Sequence, residues 1–381
     1  MYTVDLSANV PLYGQQLCYW CGAASGQMAR NGYPNPIDRL YYAQSDVWNT
    51  IQAYNSTAPA DVAAGWATDP DGLEGALMNL ANPAGVDWVV DANASRDAVL
   101  HFMLYWMSVK NYPSPVLVNQ GGHWVVVVGY ETDVNPQTSS AVTLEQITFN
   151  DPEPHNIGTV TTMTGSQWYN GPWNGSVVYT GTWHNEYVAV VEPPKPKGTV
   201  RVRVENRTGR EPIPAQQAIE SAIRHAREQR LGERPGYRVF ARDDVEPTGA
   251  LLVHDEPLMD RRQEKPVAYY IVPFGVRGER ERGQPSVRAA VLVNAYTGHL
   301  EETTVFGRPI HYLTEEAALD VAAKALNADR KKMKATLMFQ PSKVSHIRTF
   351  PFWRVAFGEH TIYIDQLGEV FGRLELSVPG D

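Results

Sequence analysis

The sequence predicts an α+β protein of two domains, and three observations carry that prediction. Its 381 residues are about twice a common domain length. Charge and tryptophan divide the chain into two unlike parts. In each part helical runs come before short β-branched runs.

The division is quantitative. Residues 1–192 hold four basic side chains, Arg30, Arg39, Arg96 and Lys110, against 17 acidic ones, a net charge of −13. Residues 193–381 carry a net charge of +4, and of the ten tryptophans only Trp353 lies there. The change falls at Pro193-Pro194-Lys195-Pro196-Lys197-Gly198, where three prolines favour an extended, semi-rigid spacer. The expected boundaries are therefore a first domain over 1–192, a linker over 193–198 and a second domain over 199–381. With 43% hydrophobic and 20% charged residues, both parts contain enough apolar surface for real cores.

Several classes are excluded. An acidic first half repels phosphate backbones, and the second half has no basic stripe with interleaved aromatics, so no nucleic acid partner is expected. The longest apolar run, around Trp124 to Val128, is far short of the roughly 18 residues of a membrane span, so no membrane span is expected. The start, Met1-Tyr2-Thr3-Val4-Asp5, shows neither a basic n-region nor an apolar h-region, so a soluble chain with no visible secretory signal is expected, with its compartment open. The two cysteines, Cys18 and Cys21, cannot staple distant segments or form a zinc framework. Neither a metal nor an organic cofactor is expected.

In chain order, Gly22 to Arg30 is a small-residue helix stopped by Asn31-Gly32, with Pro34 beyond it. Further helices are expected around Asp71–Leu80 and Ser95–Val109, the second with Val99, Phe102, Met103 and Trp106 at helical spacing. From Pro115 the period changes. Val116–Val118, Trp124–Val128, Thr143–Phe149 and Tyr187–Val191 read as strands of an antiparallel sheet. The second half reads as a duplication. Helices at Ala215–Arg230 and Thr314–Asn327 are each followed by strands, with Ala268–Phe274 echoing Pro351–Phe357 and Val291–Leu300 echoing Tyr363–Val370. The last pair both read as strand, glycine turn, strand.

A thiolate nucleophile needs a helix N-terminus or an imidazole to stabilise it, and the imidazole needs a third group to orient it. Cys21 precedes the first helix, His123 follows Gly121-Gly122 at the head of an apolar strand, and Asp151 ends the strand Ile147-Thr148-Phe149-Asn150. Gln15, six residues before Cys21, can offer an amide to an oxyanion beside the Cys21 N–H, with Gln16 in reserve. Asn150 and Asp151 compete for the third role, and the carboxylate is preferred because it stabilises an imidazolium better. Trp20 and Trp124 flank the nucleophile and the base, so each is a candidate wall of a substrate site or a core residue. Gly122 is a candidate for backbone contact with an extended substrate or a plain turn residue.

Three segments together, Gln15-Gln16-Leu17-Cys18-Tyr19-Trp20-Cys21-Gly22-Ala23-Ala24-Ser25, Gly121-Gly122-His123-Trp124-Val125-Val126-Val127-Val128-Gly129-Tyr130 and Asn150-Asp151-Pro152, resemble the papain-like cysteine peptidases. The resemblance is to their bacterial branch, similar to the double-glycine leader peptidases of bacteriocin exporters, over roughly residues 8–192. It implies a helical lobe and an antiparallel sheet lobe with a polypeptide substrate between them. It also implies Cys21 as nucleophile, His123 as general base and acid, Asp151 as orienting group and Gln15 as oxyanion donor. The helix-plus-sheet duplication resembles PepSY or cystatin-like units in tandem. That likeness implies a recruiting or inhibitory role for the second half, docked on the peptidase domain within the chain. The implied reaction is peptide-bond hydrolysis through an acyl-enzyme. The same triad serves an acyl-transferring transpeptidase or cyclase, and the alternative of another class is a non-catalytic peptide-binding module. Cys18-Tyr19-Trp20-Cys21 also fits a thioredoxin-like C-x-x-C, but that reading leaves His123 and Asp151 without a role.

Overall fold

The computed structural model describes residues 1–33, 41–56, 66–80, 87–191, 199–202, 211–255, 267–281 and 284–375. The proposed linker at 193–198 lies outside them. The protein is mixed α+β, with largely antiparallel sheets and several helices, and divides into two units, Met1–Glu205 and Asn206–Leu376.

The first unit is built on β4 (His123–Thr132), whose run from His123 to Tyr130 is buried on both faces. Such a strand has no polar face, so its residues read as continuous valine rather than alternation. β4 pairs antiparallel with β3 (Ser114–Val118) on one side and β5 (Ala141–Asp151) on the other. Outward from β3 lie β7 (Tyr187–Val191) and β2 (Val89–Asn93), and outward from β5 lies β6 (Thr159–Thr164). β1 (Tyr2–Asp5) continues the β3 side along the far end of β4, where Gly129 lets it close in; a Cβ there would sit 2.9 Å from the Val4 carbonyl oxygen. β8 (Thr199–Arg201) runs parallel to Ala141–Thr143 of β5, and Val200 is buried in the same core. The first compact unit thus runs on past residue 192 to Glu205. The strand after the spacer still belongs to the first unit, because Val200 completes that core rather than the next one.

Among the described residues, five helices precede or interleave with these strands. α1 (Cys21–Asn31) is buried along its whole length and packs on β3 and β4. Its small residues allow this, since a Cβ on Gly22 would lie 2.4 Å from Thr68 Cγ2 and one on Gly26 2.9 Å from Val47 Cγ1. α2 (Gln44–Tyr54), not anticipated from the sequence, packs against α1 and α3 (Pro70–Asn79). Asp69 caps α3 by accepting from the Gly72 N–H at 2.6 Å, with Pro70 at the first helical position. α4 (Arg96–Lys110) starts at the Ser95 cap and stops at Asn111 in a left-handed conformation. A short α5 (Gly165–Asn170) follows β6.

The second unit contains the duplication. α6 (Ala215–Glu228) packs on β11 (Val267–Glu281) and β12 (Gln284–Asn294), and α7 (Glu315–Leu326) packs on β14 (Lys334–Phe339), β15 (Phe352–Phe357) and β16 (His360–Ile364). Each helix turns two alanines one turn apart to its sheet, Ala218 and Ala222 in α6 and Ala318 and Ala322 in α7. The strands also correspond. Tyr270 in β11 donates its hydroxyl to the Ile213 carbonyl at 2.7 Å, and Trp353 in β15 donates its indole N–H to the Leu313 carbonyl at 2.9 Å. Each acceptor stands two residues before its helix. The first glycine turn joins β12 to β13 (Leu300–Ile310), the second β16 to β17 (Val370–Phe371), and both are tied by an Asx side chain. Asn294 accepts from Tyr296 and Thr297, and Asp365 from Leu367 and Glu369. Gly298 and Gly368 take the positive φ these turns need, 70° and 86°. β10 (Leu251–Asp255) pairs antiparallel with β11 and parallel with β14, joining the two repeats into one sheet. β9 (Val245–Pro247) pairs further along β11. No described helix is long and apolar enough to cross a membrane.

Candidate active site

β4 begins with His123 and the antiparallel β5 ends with Asp151, so both stand at one end of the first sheet. The register Val126↔Asn150 puts Asp151 one step further toward the start of β4. Successive side chains on a strand point to opposite faces, so Asn150 and Asp151 cannot both meet the same imidazole. The partner is Asp151. Its Oδ1 lies 2.8 Å from His123 Nε2, whereas the buried Asn150 amide makes no hydrogen bond among the described residues.

Cys21 is brought to the same place by the packing of α1 on β4. Ser25 Oγ donates to the Trp124 carbonyl at 3.1 Å, and the Trp124 N–H donates to Cys21 Sγ at 3.3 Å. Cys21 also hydrogen-bonds His123. Burial alone would lower the affinity of His123 for its proton. The carboxylates of Asp151 and Glu153, with hydrogen bonds to Asp151 and Cys21, reverse that and push the imidazole well above its ordinary range. The cap of α1, Trp20, offers no side-chain acceptor, so the first-turn N–H groups have no capping side chain.

Gln15 reaches the site through its backbone. Its N–H donates to the Pro152 carbonyl at 2.9 Å and its carbonyl accepts from the Asn156 N–H at 2.8 Å, which ties the entry segment to the loop after Asp151. The buried Gln15 side chain donates Nε2 to the Cys18 carbonyl at 3.0 Å. An amide nitrogen carries a second hydrogen, which this bond leaves for another acceptor. Gln16 is exposed, and its N–H is taken by Gln44 Oε1 at 2.8 Å. The structure thus brings Cys21, His123 and Asp151 together and ties Gln15 to the loop after Asp151 and to Cys18.

Two of the three residues considered for substrate contact are buried in the structure. The Trp124 side chain is fully buried, with its indole N–H donated to the Thr68 carbonyl at 3.0 Å, so it is a core residue. Gly122 is buried and its N–H is donated to the Asn119 carbonyl at 3.2 Å. The turn glycine is Gly121, at φ 95°. Trp20 is half-buried and stacks on Trp48 with centroids 5.5 Å apart. Cys18 is an exposed free thiol, while Cys21 and His123 are closed to solvent, each 0% exposed.

Sequence reasoning missed Glu153. It is buried, and its N–H donates to Asp151 Oδ1 at 2.9 Å, the atom that also meets His123. The available signal was an acidic residue held between Pro152 and Pro154 directly after Asp151.

No family model matches the chain, and no curated protein does. Among solved structures, the Bacillus megaterium YpeB C-terminal domain is 10% identical, with 73% of this chain and 97% of that chain covered at a TM-score of 0.17. A likeness at that level carries no argument about fold or activity.

Proposed function

We propose that the first unit is a papain-like cysteine peptidase, with α1–α3 forming a helical lobe and the β3–β6 sheet the other. The single observation that carries the reading is the chain of contacts from Cys21, at the first position of α1, through His123 to Asp151 Oδ1 at 2.8 Å. An imidazole held in its cationic form beside a thiol favours the thiolate, which the α1 N-terminus also stabilises.

In this reading the Cys21 thiolate, paired with the already protonated His123, attacks the scissile carbonyl carbon, forming an S–C bond. The oxyanion is held by the second amide hydrogen of Gln15 and the Cys21 N–H. His123 returns the proton to the leaving amine as the C–N bond breaks, then takes one from water as hydroxide attacks the thioester and releases Cys21. Asp151 keeps the ring in one orientation throughout. Because Cys21 and His123 are both closed to solvent, substrate entry requires movement of the segments that cover them. Trp20, half-buried beside the nucleophile, is the most exposed of the three residues considered for substrate contact.

The test is peptide-mapped mass after reaction with an epoxide selective for activated thiols, at neutral pH under reducing conditions. One equivalent on Cys21, none on Cys18, and loss of labelling in His123→Ala are expected. Cys21 unlabelled in a folded protein overturns the reading and favours a peptide-binding module.

A further inference from the structure

We infer that Glu153 is a positioning residue for the reaction proposed above, its buried carboxylate set beside the His123 imidazole to keep the ring protonated next to Cys21. The inference rests on the peptidase reading for its purpose, but its geometry stands by itself.

A glutamate is almost never buried without a charged or hydrogen-bonding counterpart, because removing a carboxylate from water is costly. Glu153 is 4% exposed, and a carboxylate oxygen lies within 4.8 Å of a His123 ring nitrogen. Its backbone is fixed on both sides. The Glu153 N–H donates to Asp151 Oδ1 at 2.9 Å, and its carbonyl accepts from Thr159 Oγ1 at 3.2 Å. Pro152 and Pro154 restrict the flanking φ angles.

Within the first unit, the titratable groups acting on the ring are Asp151 and Glu153, from the end of β5 and the loop after it, and Cys21 from α1. Asp151 meets Nε2 directly, so it orients the ring as well as charging it. Glu153 adds a second negative charge at a distance where an opposite charge still moves a titration by about one unit or more. The work is divided accordingly. Asp151 sets where the imidazole points, and Glu153 extends the pH range over which it holds the proton needed by the leaving amine.

The experiment is a ring-carbon NMR titration of the full chain, with histidine labelled in the imidazole and the His123 signal assigned by its loss in His123→Ala. The expected wild-type midpoint lies above the ordinary imidazole value of about 6.5. Glu153→Gln should bring it down by about one pH unit or more, with tryptophan fluorescence unchanged. The upper limb of the pH–activity profile should move by the same amount. A midpoint equal in Glu153→Gln and wild type overturns the inference. So does a wild-type midpoint at or below about 6.5, which needs no variant to fold. Failure of the peptidase reading shows separately, as Cys21 that no epoxide labels while the titration still responds to residue 153.

Discussion

The two units each bury a cluster of opposite charges, and the clusters do different things. In the first, His123 sits between Asp151, Glu153 and Cys21. In the second, the guanidinium of Arg348 lies 2.6 Å from Glu301 Oε2, 3.9 Å from Asp255 Oδ2 and 4.0 Å over the ring of Tyr269. Burial alone would loosen the Arg348 proton, but the carboxylates of Glu301 and Asp255 outweigh it and hold the group permanently charged. Arg348 precedes β15, in the second repeat, whereas Asp255, Tyr269 and Glu301 belong to the first, so the pair ties the repeats together. An arginine cannot exchange its proton, so this cluster only binds. An imidazole can, and it is the group that stands next to a thiol. Burial of charge therefore does not by itself mark a reactive site; the titration range of the buried base does.

Breaking each cluster should separate the two roles. Asp151→Asn should slow epoxide labelling of Cys21 by roughly 10⁴-fold, the scale seen when an orienting carboxylate is neutralised, while chemical denaturation of the second unit stays unchanged. A labelling rate within a few-fold of wild type would mean that Asp151 does not orient the base.

Arg348→Ala should do the converse. It leaves Glu301, which is 1% exposed, without its cation, a loss of about 3–5 kcal/mol, measured as a lower denaturation midpoint. Cys21 labelling in the folded fraction should be unaffected. Arg348→Met with Glu301→Gln should recover much of that stability, because the pair costs less to replace than to break.

Gly22→Ala tests the packing that brings Cys21 over β4. Its Cβ would meet Thr68 Cγ2 at 2.4 Å, so overpacking of about 1–3 kcal/mol is expected. It should appear in tryptophan fluorescence, since nine of the ten tryptophans lie in the first 192 residues.

The smallest effect is a pH dependence of stability. His123 binds its proton more tightly when folded than when unfolded. Its stabilising contribution is thus complete below the unfolded value of about 6.5 and is lost as pH rises through the higher folded midpoint. The first unit should lose stability over that window, and Asp151→Asn should flatten the curve. A wild-type curve already flat above neutral pH would contradict the charge assignment.

Much of this was legible in the sequence. The α1 start within a residue of Cys21, its stop at Asn31-Gly32, the strands around β3, β4, β5 and β7 and the helix-plus-sheet duplication are local patterns of spacing, small residues and turn glycines. The duplication was readable because Tyr270 and Trp353 occupy the same place in matching strands, although their shared bond to the chain before each helix was not. α2 was missed because its sequence, Gln44 to Tyr54, buries only Val47 and Ile51 among its apolar side chains, with Gln44 beside them. Trp124 was left open between wall and core because flanking a histidine says nothing about which face of the strand is covered.

The sequence by itself determined which residues could do chemistry and which segments carry them, because helix caps, strand alternation and turn glycines are set by neighbours in the chain. Tertiary structure decided the rest. Strand register selected Asp151 over Asn150, β8 paired with β5 in the first unit, and the fold after β5 brought Glu153 beside His123. Those outcomes depend on contacts between residues distant in the chain, where a one-residue slip reverses every side chain, and no local pattern encodes them.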